Sequence, residues 1–282
     1  MSLLSLKDVS ILAEGLDHPE CVAWGPDGNL YAGGEAGQIY RISLDGEVTE
    51  IASTGGFVQG ICLDGNGIIY ACDFKKQVVL RIDRDARVSV YSDGTADRKM
   101  RVPNYPVFDR AGRLYVSDSG GWHDNNGCLF VVTPDGQTRV VNTRVAAFPN
   151  GLALSPDGSH LYLVLSNLPG VVKLPVAIDG SVGSPQPVVE LPRTVPDGLA
   201  FDRDGGLYIS CYTPDLIYRL SPDGKLEVLI EDEERTLITS PTNITFAGAD
   251  LSTLVASNFG GWHLTQMQAP VAGSPLHYPF FR

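Results

Sequence analysis

Six side chains bearing an amide or carboxylate oxygen recur at nearly even intervals: Glu20, Gln59, Asn104, Asn150, Asp197 and Asn243, spaced 39, 45, 46, 47 and 46 residues apart. Oxygen-only ligands suit one hard divalent cation, Ca²⁺ in the first place, with Mg²⁺, Mn²⁺ or a carboxylate-bound Zn²⁺ also compatible. Two carboxylates among the six would leave such a site near neutral once loaded. Without a cation, Glu20 and Asp197 would repel each other, which raises one titration or splays the ring. Capping of strand starts explains Asn or Asp in single copies, but not Glu and Gln in the same register.

The elements that must carry these residues repeat with them. A turn glycine follows each of the first five anchors by eight residues, at Gly28, Gly67, Gly112, Gly158 and Gly205, and the sixth copy has Leu251 there. A tyrosine follows at Tyr31, Tyr70, Tyr115, Tyr162 and Tyr208, with Val255 in the sixth. Gln38–Ile42, Val78–Ile82, Cys128–Val132 and Leu216–Leu220 are rich in β-branched and aromatic residues and lead into second turns. Each copy therefore holds about four antiparallel strands, too few to close a barrel alone. The pattern predicts an all-β, six-bladed β-propeller spanning 1–282 as one domain, with blades starting near 20, 59, 104, 150, 197 and 243. Residues 9–16 read as a strand without its own blade, placed to complete the last blade and close the ring. The tail 271–282, with Tyr278-Pro279-Phe280-Phe281, lies outside the repeat and is expected either to dock on the body or to contact another copy.

Composition narrows the partners. Thirty-three acidic against 21 basic side chains give a net charge of −12, which repels a polyanion and excludes nucleic acid. No apolar window approaches the ~18 residues of a membrane span, and the first residues lack a secretory signal, so no membrane partner and a cytoplasmic location are expected. Five scattered cysteines make neither a disulfide framework nor a zinc cage. No Gly-x-Ser-x-Gly elbow points to a serine nucleophile.

In a propeller the innermost strand of each blade lines the axial channel, so the six anchors form a ring where it opens. Gly120-Gly121-Trp122-His123 and Gly260-Gly261-Trp262-His263 are the same four letters in opposite blades, three and six. Their indoles either wall a pocket or plug seams between blades, and His123 and His263 could serve acid–base chemistry.

Pro19-Glu20, Asn104, Pro149-Asn150-Gly151-Leu152-Ala153 with Ser155-Pro156-Asp157-Gly158, and Pro196-Asp197-Gly198-Leu199-Ala200 with Asp202 carry a resemblance to the gluconolactonase/regucalcin (SMP-30) family over nearly the whole chain. The resemblance implies one catalytic divalent cation held by Glu20, Asn150 and Asp197, with Asn104 at the cation or its substrate and Asp197 as the base. Val102 and Tyr105-Pro106 stand where sugar lactonases of the family usually carry an Arg and an Asp-Gly, and Arg101 is one residue off. A lactone less polar than a sugar lactone, or another ester, is therefore expected. Asn104 with Asn243 is similar to related propeller phosphotriesterases and paraoxonases, whose calcium is ringed by several Asn, and this adds Asn243 to the ligand set. The expected activity is metal-dependent opening of a small-molecule lactone, with Asn104, Arg101, Trp122, His123, Trp262 and His263 at the substrate. The alternatives are an aryl-ester or phosphotriester hydrolase using the same cation, and a non-catalytic calcium- or ligand-binding propeller.

Overall fold

A computed structural model describes residues 2–281; the outermost expected bounds, Met1 and Arg282, fall outside the described residues. Among the described residues, twenty-four strands form six four-stranded antiparallel sheets. From the axis outward, blade one runs Cys21–Trp24, Leu30–Gly33, Gln38–Ile42 and Val48–Ser53, and blade two Val58–Leu63, Ile69–Asp73, Val78–Ile82 and Val88–Ser92. Blades three, four and five begin with inner strands Pro103–Phe108, Pro149–Leu154 and Val195–Phe201. Blade six has Pro241–Ala247, Thr253–Asn258 and His263–Gln268, and its outer strand is Val9–Glu14 from the other end of the chain. Inner strands of successive blades pack on one another, and the first packs on the last, so the ring is a closed propeller fastened as the repeat pattern requires.

The repeated turn residues do one job. Gly28, Gly67, Gly112, Gly158 and Gly205 all have positive φ, and each donates its N–H to the carbonyl three residues back. Leu251 closes the same turn in blade six at φ 56, so the geometry persists where the glycine does not. The repeated tyrosines staple neighbouring blades. Tyr70, Tyr162 and Tyr208 lie edge-on to Phe108, Phe201 and Phe246 of the next blade, with centroids 5.0, 4.8 and 5.1 Å apart.

The tail docks on the body. Ser274 N–H donates to Phe201 O (2.8 Å), the Tyr278 hydroxyl to Trp24 O (2.6 Å) and Gly65 N–H to Pro279 O (2.8 Å), while Phe281 packs on Tyr70 and Phe108. It thereby crosses the end of the channel remote from the anchors and floors an apolar cavity of about 90 Å³. A chain ending at Ala272 is expected to lose about 2–4 kcal/mol of stability through the lost burial of Tyr278 and Phe281. Urea melts of the two chains measure this, and equal midpoints would show that the tail contributes nothing. Among the described residues no helix is long and apolar enough to cross a membrane, and all five cysteines are unpaired thiols.

Candidate metal centre and substrate mouth

Backbone irregularity aims the anchors. In blades two to six the pairing of the inner strand with its neighbour slips at the anchor: between Val58 and Gly60, Pro103 and Pro106, Pro149 and Leu152, Pro196 and Leu199, and Pro241 and Asn243. A bulge turns the local side chain off the sheet normal, here toward the axis. Glu20 precedes its strand and reaches the same level. Glycines after three anchors let the inner strands meet. A Cβ on Gly60 would lie 2.2 Å from Asn104 O, and one on Gly151 2.2 Å from Asp197 O. Serine hydroxyls on or just after the second strands of blades three and four tie them to the next anchor segment: Ser117 donates to Asn150 O (2.7 Å), Ser119 to Pro149 O (2.8 Å) and Ser166 to Pro196 O (2.7 Å).

Asn104, Asn150, Asp197 and Asn243 are buried, and Glu20 and Gln59 are half-buried. Burial first, then the Asp197 charge and then that of Glu35, hold the Glu20 carboxyl well above the ordinary carboxylate range. Burial raises Asp197 likewise, with the Asn150 amide opposing the rise. Glu20 and Asp197 stand at matching anchor positions of blades one and five, which both flank blade six, and the charge of Asp197 acts on Glu20. Asn150 Nδ2 donates to Ser166 Oγ (3.2 Å), and this fixes the amide with Oδ1 buried and without a partner. Gln59 Oε1 is also buried and unpartnered. Two desolvated carboxyls and two orphaned amide oxygens at one repeat position make an oxygen donor set that a divalent cation fits.

Tyr105 forms the floor. Its hydroxyl donates to Asn243 Oδ1 (3.3 Å) in the opposite blade, so the side chain spans the channel. It lines the apolar cavity above the tail, and no anchor does. Burial keeps its phenol neutral, well above the ordinary tyrosine value.

The other expected substrate residues divide. Trp122 is 40% exposed and stands edge-on to Phe148 (4.6 Å), with His123 exposed beside it; Trp262 is 51% exposed over His18 (4.3 Å). Each indole lies against the residue that leads into the next blade, Phe148 before blade four and His18 before blade one. His263 corrects the expectation: it is buried, its Nδ1 facing Gly261 O (2.7 Å) and its Nε2 facing Leu237 O (2.8 Å), so no ring nitrogen is left for substrate. Arg101 is not brought to the ring either; it is exposed and lines a separate pocket with Gln77, Lys99 and Asn126. His18 Nδ1 contacts Asp17 Oδ1 (2.9 Å) and Glu35 Oε2 (3.2 Å), a half-exposed acidic pairing at the rim.

Sequence reasoning missed the aromatic residues of that rim. Phe259 has its ring 5.1 Å from His18, 6.3 Å from Phe57 and 6.2 Å from Tyr212, and Phe57 meets Phe74 at 6.1 Å. A signal existed: His18, Phe57 and Phe148 each stand two residues before an anchor, while Phe74 and Phe259 directly follow their second strands and Tyr212 sits near the end of its own.

The profile of the SMP-30/Gluconolactonase/LRE-like region matches residues 18–258. The chain belongs to this family. A gluconolactonase of Zymomonas mobilis is 24% identical over 79% of this chain and 72% of its own length. A gluconolactonase from Xanthomonas campestris has the same fold at TM-score 0.80 and 21% identity, covering 93% of this chain and 89% of its own. A calcium-binding regucalcin from Agrobacterium tumefaciens superposes at TM-score 0.82 with 15% identity over 100% of this chain and 99% of its own. The SMP-30 match includes every anchor from Glu20 to Asn243.

Proposed function

We propose that this protein is a divalent-metal-dependent hydrolase that opens a lactone. The observation that carries the reading is the buried, unpartnered Asn150 Oδ1 on the inner-strand register that also holds Glu20 and Asp197, two carboxyls that burial holds above the ordinary range, in a family that includes gluconolactonases. Glu20, Asn150 and Asp197 would hold the cation, which when bound supplies Lewis acidity toward the lactone carbonyl and neutralises the carboxylates. Asp197 takes a proton from the attacking water as its oxygen adds to the carbonyl carbon. That proton passes to the ring oxygen as its bond to the same carbon breaks, giving the hydroxy acid. Asn104 orients the carbonyl, and Trp122, His123 and Trp262 shape the entrance. Asn243, whose Oδ1 already accepts from Tyr105, is assigned to the floor rather than to the principal ligands.

Elemental analysis of the purified protein, with rates on lactone, aryl-ester and phosphotriester panels before and after chelation, tests this. Lactone turnover that chelator abolishes and calcium or another divalent ion restores is expected. Faster aryl-ester or phosphotriester turnover would reassign the substrate class while keeping the ring. Cation uptake without turnover of any ester would make this a calcium-binding propeller, as the regucalcin likeness allows.

A further inference from the structure

Phe57 and Tyr212 belong to blades two and five, which face each other across a six-bladed ring. One ring lying within 6.3 Å of both must stand near the axis, so Phe259 roofs the mouth above the anchors. Trp262, Phe74 and Tyr212 extend this roof outward, each more than a third exposed. Phe57, Phe74 and Phe259 present only carbon. A polyhydroxylated lactone ring held under them would exchange water for a surface that accepts and donates nothing, whereas an apolar substituent would bury area there at no hydrogen-bonding cost.

We infer that the substrate is a lactone carrying an alkyl or aryl arm, and that Phe259, with Tyr212 and Trp262, forms the subsite for that arm. The inference rests on the lactone-opening reading for its chemistry, but the apolar subsite is a separate physical claim. The lactone carbonyl enters toward Asp197 and Asn104, and the arm lies against the Phe259 ring.

Three lactones of one reaction class test it: γ-butyrolactone, γ-nonanolactone and glucono-δ-lactone. The wild-type kcat/KM for γ-nonanolactone should exceed that for γ-butyrolactone by roughly 30-fold, since each buried methylene contributes to binding. Phe259→Ala should shrink that ratio about tenfold, chiefly through KM, and Tyr212→Ala about threefold. Tyr212→Ala also serves if Phe259→Ala does not fold. Preference for glucono-δ-lactone, or a ratio unchanged in both variants, overturns the inference. If no lactone turns over, the activity reading fails and binding decides the subsite: calorimetry with 5-pentylpyrrolidin-2-one against pyrrolidin-2-one. At least tenfold tighter binding of the pentyl lactam, reduced in Tyr212→Ala, supports the subsite, and equal binding overturns it.

Discussion

Asp197→Asn is expected to lower kcat for lactone opening roughly 10³-fold, the scale of a lost general base, while making the cation-free protein more stable at neutral pH. The opposite signs follow from one fact. Asp197 and Glu20 both have folded-state titrations raised above the ordinary carboxylate range, by burial first and, at Glu20, by the Asp197 charge next. A group whose folded pKa is raised contributes its full stability below the unfolded value, near 4, and loses it as the pH climbs through the folded value. The cation-free wild type should therefore melt at a falling temperature from about pH 5 upward, when the ring must ionise with no counter-charge. The asparagine is nearly isosteric and never ionises, so it removes one of the two charges and relieves Glu20 of its neighbour. A gain on the order of 1–3 kcal/mol at pH 8 follows, since a tenfold change in proton affinity between folded and unfolded chain is worth about 1.4 kcal/mol. Saturating cation should reverse the order, stabilising the wild type more than the variant by mass action on the folded state. Thermal melts at pH 5 and pH 8, with chelator and with calcium, read all of this. A cation-free wild type whose midpoint rises with pH over that interval would show that the two carboxylates do not share a desolvated ring.

The propeller was legible because one structural demand is made six times. A turn needing positive φ, a tyrosine filling a seam and an oxygen-bearing residue at the channel recur at the blade period, and the period survives even where Leu251 replaces the glycine. The anchors were visible for the same reason. What escaped is whatever depends on contacts between copies. Nothing near Tyr105 in the chain announces that its hydroxyl meets Asn243 across the channel, and nothing near Phe259 announces Phe57 and Tyr212. The paired Gly-Gly-Trp-His loops show the converse failure, with identical letters and different roles. In blade six Trp262 adopts a left-handed backbone and His263 starts the next strand, which turns its ring inward onto the carbonyls of Gly261 and Leu237. In blade three Asp124 to Gly127 intervene before the strand Cys128–Val132, so His123 stays in an exposed turn. Loop length, not loop composition, decides the outcome.

Tyr208→Ala is expected to cost about 4 kcal/mol, the upper range for deleting a buried aromatic ring, because three losses coincide there. The side chain is fully buried, so its removal leaves a cavity between blades five and six where it had met Phe246 edge-on at 5.1 Å. Its hydroxyl accepts from Arg219 Nε (3.2 Å), and Arg219 Nη2 in turn pairs with the fully buried Asp202 (2.8 Å). The Arg219 guanidinium also lies over the Tyr208 ring, 5.7 Å from its centroid, so deletion leaves a half-supported ion pair in the interior. Tyr208→Phe keeps the seam filled and removes only the hydroxyl, for which about 1 kcal/mol is expected. The effect should also reach the ring: Tyr208 pairs directly with Ala200 in the strand that carries Asp197, so loosening this seam frees the strand that holds the carboxylate. Calcium titrations of the three proteins should therefore rank wild type, Tyr208→Phe and Tyr208→Ala in falling affinity. Urea midpoints give the stabilities. Equal midpoints for Tyr208→Ala and Tyr208→Phe would mean that the ring's packing contributes nothing to the seam between blades five and six.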